Sequence, residues 1–201
     1  MKLYYLQGAC SLATYISLLE AGQKFEAVAV ERGTKKTGDG SDLAAINPKS
    51  YVPTLVLDDG TVLSENAAVL SYVATLNPTA KLAPPVGTVG YFQVVEWLGY
   101  INTELHKAIS VVFRPNTPPE FAAIARENVQ KRLEFVEKAL EKGPYLTGAD
   151  FTVADAYLYV VMSWNGRTGI SLDKLPKLQA FVERVGARPH VKAARRGEGM
   201  E

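Results

Sequence analysis

Val52-Pro53-Thr54-Leu55-Val56-Leu57-Asp58-Asp59-Gly60-Thr61-Val62-Leu63-Ser64-Glu65-Asn66 is the stretch that decides the architecture. Asp-Gly between two apolar runs is a strong hairpin signal. It predicts antiparallel strands over 54–57 and 61–63, and the periodicity after them predicts a helix over 65–76. Working back toward the start, residues 2–6 read as a strand, Gly8-Ala9-Cys10-Ser11 as a turn, and 12–21 as an amphipathic helix ended by Gly22. A second strand is predicted over 25–30, a polar loop over 31–40, and a short helix over 41–46 that Asn47-Pro48 stops. A βαβ unit followed by a ββα unit makes an α/β domain with a small mixed sheet, complete at residue 77.

Beyond it the sequence changes character. Residues 78–87 contain Pro78, Pro84 and Pro85 and read as a linker. Helical periodicity then fills 88–112, 120–141, 153–164 and 175–186, so residues 88–201 are predicted to be an all-α bundle. Thr152-Val153-Ala154-Asp155 has the form of a capping box, a structural device at the start of a buried helix.

Composition narrows the class. The 201 residues are 47% hydrophobic and 21% charged, which is ordinary for a folded globular chain. A net charge of +1 offers no basic face for nucleic acid. No apolar run is long enough for a membrane-spanning helix, and the opening MKLYYLQGACS lacks the pattern of a secretory signal, so a cytoplasmic protein is expected. The single cysteine cannot form an internal disulfide. No metal site is expected.

Four positions carry candidate chemistry. Cys10 falls at the first turn of a helix, where unpaired N–H groups favour a thiolate, although a lone cysteine beside Ala9 and Leu12 is as readily a small core residue. Val52-Pro53 precedes a strand, where exposed backbone can meet a ligand. Ser64-Glu65-Asn66 opens a helix whose N–H groups suit a carboxylate, with Glu65 suited to an ammonium. His106 and Lys107 sit midway along the first long helix of the second domain. Taken singly, helix capping explains Ser64-Glu65-Asn66 better, and a lone helical histidine is more often structural. Lys35 and Lys36 read as solvated loop charges.

Taken together, KLYYLQGACSLA, NPKSYVPTLVLDDGTVLSENAAVLSYV, WLGYINTELHKA and YLTGADFTVADAYLY resemble the bacterial beta-class glutathione transferases in order and spacing. The resemblance implies a thioredoxin-like N-terminal domain over 1–77 that binds glutathione. It also implies a helical domain over 88–201 lining the acceptor site, and a homodimer. Cys10 would contact the glutathione sulfur and be able to form a mixed disulfide with it. His106 and Lys107 would reach the same site. The Val52 main chain would pair with the tripeptide, with Pro53 cis, and Glu65 and Asn66 would hold the γ-glutamyl end. Lys35 would assist at a carboxylate, and Glu104 would reach the neighbouring subunit. Helix N–H groups, Ser11 and His106 would favour a thiolate. Two departures bear on the finer contacts: Gly99 replaces a frequent asparagine, and Asn66 replaces a smaller residue.

The activity expected is conjugation of glutathione to small hydrophobic electrophiles. Phe113, Tyr157, Met162 and Trp164 are candidates for the acceptor wall, while helical spacing equally suits them to the core. Thiol exchange, peroxide reduction or reductive dehalogenation through a Cys10 mixed disulfide is the second reading. A non-catalytic binding module on the same fold is the third.

Overall fold

The computed structural model describes residues 1–200. Four short strands, β1 (Lys2–Tyr5), β2 (Glu26–Ala29), β3 (Thr54–Val56) and β4 (Val62–Ser64), lie in the order β2-β1-β3-β4. β1 is parallel to β2 with Leu3 opposite Ala27, and antiparallel to β3 with Leu3 opposite Leu55. The predicted hairpin closes β3 onto β4, and the whole is a thioredoxin-like mixed sheet. Alternation along β1 sends Leu3 and Tyr5 to the main core, and Tyr4 to a small separate cluster with Val30 and Leu43.

α1 (Ser11–Glu20) and α3 (Asn66–Thr75) cover the main face of the sheet, and α2 (Leu43–Ile46) supplies Leu43 to the other. α2 starts later than predicted because the Asp42 carboxylate accepts from the Ala44 N–H and fixes the cap there. The proline-rich connection holds one 3₁₀ turn, Pro78–Ala80.

The remaining helices are α4 (Val89–Tyr100), α5 (Lys107–Val112), α6 (Pro119–Ala139), α7 (Val153–Met162), α8 (Asn165–Thr168), α9 (Pro176–Gly186) and α10 (Pro189–Gly197). The helix predicted over 88–112 is not uniform. Between α4 and α5 a π turn runs over Ile101–His106, where the Lys107 N–H bonds the Asn102 carbonyl five residues back. α10 escapes sequence reading because PHVKAARRG is short and basic and buries only Val191 and Ala194.

Two helices organise the packing. α1 is buried along most of its length, and α7 is buried at all ten positions. A fully buried helix must satisfy its first N–H groups internally. Here the Thr152 N–H and hydroxyl both donate to Asp155 Oδ2 at 2.8 Å, and the Leu146 N–H donates to Oδ1 at 2.9 Å. Burial lifts the Asp155 carboxyl to about 6 against the pull of these donors. Among the described residues no helix is long and apolar enough to cross a membrane.

Asp155→Ala leaves the N–H groups of Leu146 and Thr152 unpaired in a dry interior. It is expected to lower the unfolding free energy by about 2–4 kcal/mol, read as a shifted guanidinium midpoint.

Candidate functional site

The site is assembled around Cys10, the residue that caps α1. The turn between β1 and Cys10 is tied from several directions. Ser11 Oγ accepts from the Leu6 N–H at 3.1 Å and is fully buried. Gly8 holds φ +67°, a conformation that suits glycine. Its N–H donates to Glu198 Oε2 at 2.8 Å, and its carbonyl accepts from Trp164 Nε1 at 2.9 Å. Gln7 Nε2 donates to the Glu198 and Gly199 carbonyls at 2.7 and 3.0 Å.

Two further turns close on the same spot. The Cys10 thiol donates to the Val52 carbonyl at 3.4 Å, directly ahead of Pro53, and the Val52–Pro53 bond is cis. Asn66, the first residue of α3, donates from Nδ2 to the Cys10 carbonyl at 3.1 Å. It also accepts from the Thr14 hydroxyl at 3.4 Å. A smaller residue at 66 would forfeit the bond to Cys10.

From the helical domain, the π turn brings His106 and Asn102 one turn apart onto the hydroxyl of Tyr157. His106 Nδ1 lies 2.7 Å from that oxygen, which donates to Asn102 Oδ1 at 3.0 Å. The imidazole meets Trp164 edge-on with ring centroids 5.1 Å apart. Trp164 therefore touches His106 with its ring while its N–H holds Gly8, two residues before Cys10.

Electrostatics depart from the sequence-based expectation. Burial pushes the Cys10 thiol up to about 12, and the N–H groups of Cys10 and Ser11 offset only part of that, with Lys107 adding a smaller pull down and Glu65 a push up. Cys10 is therefore a neutral thiol at pH 7, not a thiolate. Ser11 spends its hydroxyl on Leu6. Burial, and then the charge of Lys107, lower His106 to about 4, so its imidazole is neutral at pH 7 as well.

The other predicted residues have these places. Glu65 is exposed, with φ +71° at the cap of α3, and its carboxylate accepts from Lys49 Nζ at 2.9 Å. Lys107 is exposed beside His106. Lys35 is half-buried in the loop after β2, where its N–H bonds the Glu31 carbonyl at 3.0 Å. Glu104 is paired with Arg132 at 2.6 Å and lies two residues from His106, on the other side of the helix. A side chain at Gly99 would enter open space in this chain. Met162 and Tyr157 belong to the core, whereas Phe113 is 40% exposed and rests against the Trp164 ring.

Sequence reading missed Lys49, Asn102 and Glu198. Lys49 meets Glu65 only through the hairpin between them, and Glu198 meets Gly8 across 190 residues, so no local pattern marks either. Asn102, four residues before His106, carried a helical-spacing signal. Two cavities, of about 740 Å³ against the Pro84–Pro85 connection and about 400 Å³ between Trp97 and Phe135, are lined by neither Cys10 nor His106. Among the described residues no group of three His, Cys, Asp or Glu side chains is gathered to hold a metal ion.

Residues 8–76 match the family model for the glutathione S-transferase N-terminal domain, and residues 100–189 match the model for the C-terminal domain. Along the full length of both chains, the sequence is 42% identical to glutathione S-transferase GstA of Escherichia coli O157:H7. The chain belongs to the glutathione S-transferase family. Within it, the fold superposes with a TM-score of 0.96 on a sphingomonad glutathione S-transferase complexed with glutathione, at 40% identity and full coverage of both chains. The same score relates it to a bacterial beta-class glutathione S-transferase of Sphingomonas chungbukensis, 39% identical over all of both chains.

The electrostatics of this transferase are open to direct measurement. Alkylation of Cys10 by iodoacetamide is expected to keep accelerating to about pH 11 rather than levelling near pH 9 as an ordinary thiol does. A proton NMR titration should place the His106 midpoint near 4, and a midpoint near 6.5 would contradict the burial argument.

Glu198 yields a second expectation. Burial raises its carboxyl to about 7, with the Gly8 N–H opposing. The folded state then holds a proton that the unfolded chain releases near 4.5, so stability falls as pH rises from about 4.5 to about 7. Melting curves across that range should show Glu198→Gln gaining on the parent protein as pH increases.

Proposed function

We propose that this glutathione S-transferase binds glutathione against the Cys10 turn and conjugates its sulfur to small hydrophobic electrophiles. The observation that carries the reading is the convergence, on one spot, of the α1 cap, the Val52–Pro53 turn, the α3 start and His106. Their scaffold is shared by a family member complexed with glutathione.

Glutathione carries an ammonium, two carboxylates and a thiol, and the residues present answer each. Glu65 takes the ammonium, exchanging its exposed contact with Lys49 for the ligand; such surface pairs contribute little, so the exchange is cheap. Asn66 and the first N–H groups of α3 hold the adjoining carboxylate. Lys35 and Lys107 answer the other end, and the Val52 main chain pairs with the tripeptide backbone.

At the sulfur, Cys10 acts as a neutral hydrogen-bond donor and His106 as an uncharged imidazole. A protonated Cys10 suits conjugation better than exchange, because exchange and the other mixed-disulfide reactions need Cys10 itself as a thiolate. Phe113 and the Trp164 ring edge form an apolar wall for the acceptor.

We divide the chain into a glutathione-binding domain over 1–77, a linker over 78–87 and an acceptor-site domain over 88–201. We place the protein in the cytoplasm as a homodimer serving detoxification. Exposed Phe92 and Phe135 support an apolar face for a second copy, and we assign Glu104, on the π turn, to that neighbour's site.

Cys10→Ala should keep aryl-halide conjugation within about tenfold of the parent, the value of one hydrogen bond, and abolish exchange on a glutathione mixed disulfide. Glu65→Gln should weaken glutathione about tenfold or more by calorimetry, through loss of a charge-assisted bond. Absence of any heat at millimolar glutathione with the parent protein would refute the assignment.

A further inference from the structure

Tyr157 is completely buried within the apolar helix VADAYLYVVM, and its hydroxyl must find partners there. Burial without partners would be costly. Two partners sit at bonding distance, and the placement of the Asn102 amide, with Oδ1 toward the phenol, assigns the protons between them. Asn102 Oδ1, 3.0 Å away, is a carbonyl oxygen and has no proton to give. The proton shared along that line is therefore the hydroxyl's own. A phenol has a single proton, so Tyr157 cannot also donate to His106 Nδ1 at 2.7 Å. The proton on that line must belong to the imidazole. The Asn66 amide also favours negative charge on the Tyr157 oxygen, as a donor does.

Resting on the glutathione reading above, we propose that Tyr157 is a positioning residue that fixes His106 as the Nδ1–H tautomer. Nε2 is thereby left as the ring's proton acceptor. The order is His106 Nδ1–H to Tyr157 Oη, then Tyr157 O–H to Asn102 Oδ1. Nε2, on the opposite edge of the ring, has no bonding partner among the described residues. The neutral state that burial imposes on His106 is what an acceptor requires.

In the step this serves, the S–H bond of glutathione breaks, its proton passes to Nε2, and sulfur keeps the electron pair. That pair forms the bond to the electrophilic carbon as the leaving group departs with the pair from its own bond. Nε2 then returns its proton to the leaving group or to solvent. Throughout, Nδ1 keeps its proton and Tyr157 neither gains nor loses one.

The tautomer is visible without any substrate. Imidazole nitrogens are to be observed by long-range ¹H–¹⁵N correlation on the ¹⁵N-histidine-labelled protein at pH 7.5, with His190→Gln used to assign the two histidines. The parent protein should show a protonated Nδ1 and an unprotonated Nε2 at His106. Tyr157→Phe should shift His106 toward the other tautomer and lower kcat/KM for aryl-halide conjugation by about 10- to 100-fold, within the range of a misdirected general base. Asn102→Asp keeps a pure acceptor for the tyrosine proton and should retain the parent tautomer, whereas Asn102→Leu should lose it.

An Nε2–H imidazole in the parent overturns the proposal. So does a tautomer indifferent to Tyr157→Phe, or one lost equally in both Asn102 variants. If the tautomer is as stated but the parent turns over no glutathione, the functional reading fails and the assignment at His106 stands.

Discussion

A helix buried on every side has nowhere to hide an unpaired N–H group, and the rest of this molecule is arranged around that constraint. At the start of α7 the Val153 N–H donates to the Leu82 carbonyl at 3.0 Å, and Asp155 takes donors from the Thr152 cap and from Leu146 in the preceding loop. The bonds set both where α7 begins and how it is turned. From that follow the height of Tyr157, one turn in, and of Trp164 just past the end. These two side chains are the means by which a structural helix reaches the chemistry: one holds His106, the other holds Gly8.

The site is thus built by contacts between domains rather than by either one alone. The N-terminal domain supplies three backbone turns that meet at Cys10: two lead from a strand into a helix, at the starts of α1 and α3, and the third, at Val52–Pro53, leads into β3. The helical domain supplies an imidazole whose charge and orientation are controlled by apolar surroundings and a phenol. Burial decides the outcome for both titratable groups, since helix N–H groups at Cys10 offset only part of what desolvation costs a thiolate.

Much of this was legible in the sequence wherever the cause was local. Asp58-Asp59-Gly60 announced the hairpin, Asn47-Pro48 the end of α2, and Thr152 to Asp155 the capped start of α7. The positions of Cys10, Val52 and Asn66 followed from reading them as turn and cap residues. What stayed hidden depends on distance along the chain. Nothing near Lys49 tells that it will face Glu65, and nothing in PHVKAARRG tells that Val191 and Ala194 will be covered by other helices. The charge state of Cys10 stayed open for the same reason. Its helix-capping position is a local fact that favours an anion, while the apolar cover that overrides it comes from residues far away in sequence.

The bond from Gly8 to Glu198 joins residues 190 apart in the chain. During synthesis the sheet and α1 can collapse early, but the loop ahead of Cys10 has no acceptor for its amide until translation has passed that glutamate. A nascent chain on the ribosome is therefore a scaffold without a finished reaction centre. The turn that carries its lone sulfhydryl is tied down only when the segment holding Glu198 docks.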